Sequence, residues 1–129
     1  MSYYATKSQL EILRVMWEAG TPLSRGDILE RSTEKSWKGS SIHILLNSLL
    51  EKNLIEEAGF ARAGKVWGRL YAPTISIEEY YASILQSGPA FDTEKLIGMI
   101  LEWEKLDEET VSAVKELVRK ARAATAEKE

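Results

Sequence analysis

A chain of 129 residues with 44% apolar and 29% charged side chains has room for one modest core, or one small core and an appendage. Its composition is not that of a disordered chain, and no apolar run approaches the roughly 20 residues a bilayer requires. Cysteine is absent, which excludes disulfides, thiolate metal sites and a cysteine nucleophile, and His43 is the single histidine. The raw material for most catalytic or metal-binding constellations is therefore missing, and no enzyme activity, metal or cofactor is expected. The opening Met1-Ser2-Tyr3-Tyr4-Ala5 has no basic region followed by an apolar stretch, so no secretory signal is expected and the cytoplasm is the expected location. The net charge of −3 conceals an asymmetry. Residues 1–75 hold 10 Lys and Arg against 8 Asp and Glu, a balance of +2, while residues 76–129 hold 7 against 12, a balance of −5. The first part can approach phosphates; the second is suited to another task.

Leu10, Leu13, Met16 and Trp17 recur at helical spacing after Thr6 until Gly20-Thr21-Pro22 stops them, which predicts a first helix. Ser24 and Asp27 have capping-box spacing, and Ile28 and Leu29 follow as a short apolar face, so the second helix is brief. Thr33-Glu34-Lys35-Ser36-Trp37-Lys38-Gly39 reads as a polar connection with one tryptophan anchor, and Ser40 as a cap for the next helix. Over residues 41–52, Ile42, Leu45, Leu46, Leu49 and Leu50 fall at i, i+3, i+4, i+7 and i+8, the strongest amphipathic pattern in the chain. This third helix stops at Asn53, a residue that tolerates the left-handed conformation. Between residues 54 and 72, Ile55, Phe60, Val66, Trp67, Leu70 and Tyr71 are punctuated by Gly59, Gly64 and Gly68, which predicts two strands and a hairpin closed by Pro73. Ser76 and Glu79 repeat the capping box and open a helix through Ile77, Tyr80, Tyr81, Ile84 and Leu85, ended by Gly88-Pro89. Two short helices follow. One starts at Asp92 or Thr93 and carries Leu96, Ile97, Ile100, Leu101 and Trp103; the other starts at Asp107 and carries Val111, Val114, Leu117, Val118 and Ala121.

Three helices, a basic hairpin and further helices make a mainly α chain with a small β-hairpin, the plan of a winged helix-turn-helix. Its expected divisions are a winged-helix DNA-binding domain over residues 1–75, a helical dimerisation segment over 76–124 and a frayed tail over 125–129. In that plan the third helix reads base edges in the major groove and the hairpin neutralises phosphates. With Ile42, Leu45, Leu46 and Leu49 toward the core, Ser40, Ser41, His43, Ile44 and Asn47 lie on the other side as candidate base readers. Asn can pair with adenine, Ser with several bases, and Ile can meet a thymine methyl; the same residues would equally suit a solvated helix face. Lys38, Arg62, Lys65 and Arg69 are the candidate phosphate contacts, although basic residues on a strand edge also discourage aggregation. Trp17, Trp37, Trp67 and Tyr71 are read as core and hinge packing rather than base-stacking platforms.

From residue 10 to residue 73 the chain resembles the penicillinase-repressor group of bacterial regulators, the BlaI/MecI/CopY type. The resemblance is carried by Gln9-Leu10-Glu11-Ile12-Leu13-Arg14-Val15-Met16-Trp17, Pro22-Leu23-Ser24 leading to Ile28-Leu29, and Trp37 before Ser41-Ile42. It continues through Leu45-Leu46-Asn47-Ser48-Leu49-Leu50-Glu51-Lys52-Asn53-Leu54-Ile55, Leu70-Tyr71-Ala72-Pro73 and Ser76-Ile77-Glu78-Glu79-Tyr80. It implies a winged helix, a C-terminal segment that pairs two subunits, and repression by a dimer on a palindromic double-stranded operator. It further implies that induction removes the protein from DNA. In one branch a membrane sensor triggers cleavage in the pairing segment, but no distinctive cleavage sequence stands around Met99-Ile100, and a sensor or protease partner is not identified. In the copper branch a C-terminal cysteine cluster binds metal, which a chain without cysteine cannot do. Where members carry Lys-Thr and further basic residues on the third helix, this chain has Ser40-Ser41, His43, Asn47 and Ser48, and Asn53 replaces the usual glycine.

Burial points to the same pairing. Leu96, Ile97, Ile100, Leu101, Trp103, Val111, Val114, Leu117 and Val118 are more apolar surface than a lone helix hairpin can hide, so a second copy or the chain's own winged helix should cover it. Two functions compete: a sequence-specific dimeric repressor, and a winged helix that serves as a protein-interaction module without specific DNA binding.

Overall fold

Thr6 opens the first helix, α1 (Lys7–Ala19), with a reciprocal capping box in which its hydroxyl accepts from the Gln9 amide and the Gln9 side chain accepts from the Thr6 amide. Gly20 ends the helix at φ 69°, a left-handed conformation that a side chain resists. The computed structural model describes residues 4–63 and 66–128. After α1 come a two-residue strand β1 (Leu23–Ser24), α2 (Arg25–Arg31), a 3-10 turn (Gly39–Ser41), α3 (Ile42–Glu51), and strands β2 (Ile55–Ala63) and β3 (Val66–Pro73). Helices α4 (Ile77–Ser87), α5 (Thr93–Trp103) and α6 (Glu108–Lys128) complete a mainly helical chain with a small sheet.

The core of the first unit gathers Ile12, Leu13 and Met16 from α1, Ile28 from α2, and Ile42, Leu46 and Leu49 from α3. Leu23, Leu54 and Ile55 close it from the sheet side. Each such side chain contributes about 1.5–3 kcal/mol by leaving water. Trp37 anchors the α2–α3 connection at 8% exposure. The sheet is antiparallel in the order β1-β3-β2, so it has three strands rather than the two anticipated. Strand β1 is too short to show alternation; it exists because Leu23 and Ser24 lie beside Tyr71 and Leu70 of β3. A register shift between Glu57 and Phe60 coincides with Gly59 at φ 114°, and such a bulge bends the strand. Asn53 takes the left-handed conformation at φ 60° as the chain leaves α3.

Two expectations are corrected near these elements. Ser40 does not cap α3: it sits inside the 3-10 turn, which hands the chain to the helix through the Ser41 amide bonded to the Lys38 carbonyl. Helix α4 does not belong to the segment after residue 75, because the first compact unit runs over Met1–Pro89 and the second over Ala90–Glu129. Tyr80 is the reason. It is 2% exposed, its hydroxyl accepts from the Ala5 amide at 3.3 Å, and its ring lies 5.7 Å from that of Trp17. Trp17 in turn donates its indole N–H to the Ile75 carbonyl at 2.9 Å, tying α1 to the approach to α4.

In the second unit, Asp92 caps α5 by accepting from the Lys95 amide, and Asp107 accepts from the Thr110 amide at the start of α6. Helix α6 runs to Lys128, so the tail expected to fray is helical as far as it is described. Alanine-rich sequence and the Glu116–Arg119 ion pair both favour that continuation. Among the described residues no side chain from Ala90 onward is buried. Ile97, Leu117 and Trp103 stand 49%, 65% and 73% exposed, and among the described residues of this unit only Leu96, Leu101, Thr110 and Val114 are half-buried.

Candidate nucleic-acid interface

Helix α3 divides cleanly into two faces. Ile42, Leu46 and Leu49 are buried, and His43, Ile44 and Asn47 are exposed, Ile44 at 72%. Ser40 is exposed on the preceding turn, whereas Ser41 is half-buried. Ser48 turns away from the open face: its hydroxyl accepts from the Gln9 side-chain amide at 2.7 Å, and the Lys52 ammonium donates to the Gln9 carbonyl oxygen at 2.7 Å. Gln9, itself buried, thus pins α3 to α1 and fixes how the open face is presented.

The strand register sets the other wall. Leu23 pairs with Tyr71, and because Leu23 is buried, the face of β3 holding Tyr71, Arg69 and Trp67 is the one turned toward the helices. Arg62 pairs with Trp67 and Phe60 with Arg69, so β2 adds those two side chains to the same face. Past the reach of the core this face overhangs a cleft of about 680 Å3, whose walls include Arg25, His43, Asn47, Arg62, Trp67 and Arg69. The placement corrects the reading of Trp67. Trp17, Trp37 and Tyr71 pack against the core, but Trp67 is 63% exposed on the wall of the cleft. Phe60 is exposed to the same degree, at 62%.

The cations are not equivalent. Arg69 donates to the Glu57 carboxylate at 2.9 Å, so part of its charge is already answered within the wing. Arg62 is exposed on the same face, Lys38 is exposed ahead of the 3-10 turn, and Lys65 lies outside the described residues. Arg25 was not among the sequence candidates, yet its Nη1 is 2.6 Å from His43 Nε2. The same nitrogen lies 3.4 Å from Nδ1, so the guanidinium is seated against the imidazole ring. Only its place directly after the capping Ser24, at the start of the second helix of a helix-turn-helix, could have drawn attention to it. Among the described residues there is no group of three or more His, Cys, Asp or Glu side chains that could hold a metal ion, and no helix long and apolar enough to cross a membrane.

A helix with a small polar outer face, set beside a hairpin that carries arginines over the same cleft, defines a DNA-binding transcription regulator of the winged-helix class. The chain belongs to the penicillinase repressor family, whose sequence model matches residues 5–120. No curated protein matches the sequence. Among solved structures, a MepR mutant from a multidrug-resistant S. aureus clinical isolate aligns with a TM-score of 0.53 at 18% identity, over 95% of this chain and 81% of that one. At that identity the likeness is one of fold. An S. aureus MepR mutant bound to an oligodeoxyribonucleotide aligns at TM-score 0.49 and 17% identity, over 93% and 79% of the two chains. Bacillus subtilis PadR in complex with operator DNA aligns at 0.45 and 21%, over 90% and 72%.

Proposed function

We propose that the chain is a homodimeric repressor that binds a two-fold symmetric double-stranded operator. The observation that carries this reading is the division of α3: a fully buried leucine and isoleucine row holds the helix rigidly, while Ser40, His43, Ile44 and Asn47 stand open beside the arginine-bearing face of the wing. Asn47 and Ser40 supply hydrogen-bonding groups for base edges, Ile44 an apolar contact for a thymine methyl, and half-buried Ser41 a contact at the helix start. Lys38, Arg62, Arg69 and Lys65 hold the phosphates. The dimer rests on α5 and α6, whose Ile97, Ile100, Trp103, Val111, Leu117 and Val118 are exposed and which bury no side chain among the described residues. Leu96, Leu101 and Val114 extend the same apolar surface. Paired copies then place two α3 helices about one DNA turn apart.

Selection from random duplexes at physiological salt, with sedimentation of the free protein, tests this directly. An enriched palindrome together with a dimeric chain is expected; a monomer that enriches no duplex would remove the proposal. The exposed Ile44, Phe60 and Trp67 also fit a protein surface, and on that second reading the chain enriches no duplex and Asn47→Ala changes no DNA affinity.

A further inference from the structure

We propose that Arg25, from α2, is a base-reading residue of the operator contact, and that His43 acts as its positioning residue rather than as a reader itself. This rests on the DNA-binding reading above and adds to it a residue and a division of labour. The two side chains are 18 positions apart and come from different helices, yet Arg25 Nη1 and His43 Nε2 are 2.6 Å apart. The same nitrogen is 3.4 Å from Nδ1, so it reaches both ring nitrogens and lies over the face of the imidazole, as a guanidinium does on a planar ring.

Three features of this pair point to a base edge. First, His43 lies in the first turn of α3, on the exposed face that carries Ile44 and Asn47, so the guanidinium it holds is over the groove-facing turn and not out on the flank of α2. Second, Arg25 and Asn47 line one cleft, so both can address the same stretch of duplex. Third, the bond to His43 engages a single nitrogen of a fork with five N–H donors, and the opposite edge stays available for two parallel bonds. Two parallel acceptors at that spacing are what the O6 and N7 atoms of guanine present in the major groove. A long arginine normally loses rotamer freedom on binding; one already held by a neighbour loses less.

What the guanidinium lies against is a flat ring, so His43→Phe should preserve the arrangement and His43→Ala should release it.

The test uses the full chain and the duplex it selects, with each base pair of a half-site replaced in turn. For the wild type, one G·C pair per half-site should resist replacement, at a cost of about ten- to a hundredfold in affinity. Arg25→Ala should bind the original and the replaced duplex nearly equally. His43→Ala should lose most of that discrimination, and His43→Phe, which keeps a flat ring, should keep it. Both residues are exposed, so none of these changes threatens the fold. If Arg25→Ala weakens every duplex by one factor and keeps the base preference, Arg25 is a phosphate contact and the proposal is wrong. Should His43→Ala retain the preference, the positioning role is wrong. A wild type that selects no duplex at all overturns the parent reading instead.

Discussion

Replacing Glu57 with glutamine should make DNA binding tighter, and the size of the effect follows from the geometry of the wing. Glu57 and Arg69 meet at 2.9 Å with their side chains 47% and 60% exposed, so the pair sits in near-bulk solvent. Exposed pairs of this kind contribute about 0–1 kcal/mol to stability, and the thermal midpoint should scarcely move. Toward DNA the change is larger. Removing a unit negative charge about 10 Å from a phosphate is worth about 0.4 kcal/mol in water, or about twofold per protomer, before any new contact forms. If the released guanidinium then neutralises one phosphate, the slope of log affinity against log salt steepens by about 0.9 per protomer. Between about 50 and about 200 mM salt that adds a further loss of about fourfold per protomer. Fluorescence anisotropy on a fixed duplex across a potassium chloride series reads both quantities. An unchanged slope with unchanged or weaker affinity would show that this face of the wing does not meet the backbone.

Other expectations follow from single contacts. Tyr80→Phe deletes the acceptor for the buried Ala5 amide, and should cost about 1–2 kcal/mol in a thermal or denaturant melt of the chain. A melt indistinguishable from wild type would mean that α4 is not anchored by this bond. Trp103→Ala combined with Leu117→Glu should convert the dimer to a monomer in sedimentation. The lost ring alone removes on the order of 3 kcal/mol of apolar burial per protomer; persistence of the dimer would move the pairing surface off α5 and α6. Asp107 is held below the ordinary carboxylate range by the Thr110 amide, with help from the Thr110 hydroxyl. A depressed carboxyl contributes stability above its unfolded value and loses it as the pH falls through the folded one, so α6 should lose helicity below about pH 4. Asp107→Asn should flatten that acid response in far-UV circular dichroism.

Much of the frame is readable from local chemistry. The capping boxes at Ser24 and Ser76 are visible as spacings, because the cap bonds its own residue three positions on and needs nothing distant. The α3 core row is equally visible, since a helix repeats its faces every three to four residues whatever it packs against. Strand β1 is not, because two residues carry no period and become a strand only when β3 lies alongside. The position of α4 is hidden for a related reason: its apolar pattern marks a face to bury, but Tyr80 reaching Ala5 across 75 positions decides where.

Function divides in the same way. Helix order, the polar face of α3 and the basic hairpin, all properties of neighbours along the chain, lead from the sequence to a DNA-binding winged helix of this family. What required the folded chain was every pairing between remote residues: Arg25 with His43, Arg69 with Glu57, Gln9 with Ser48 and Lys52. The exposure of Trp67 belongs with them, because whether an apolar residue is covered depends on what the fold sets opposite it. Periodicity records which side of an element faces inward; only the assembled chain determines which side chain stands opposite which.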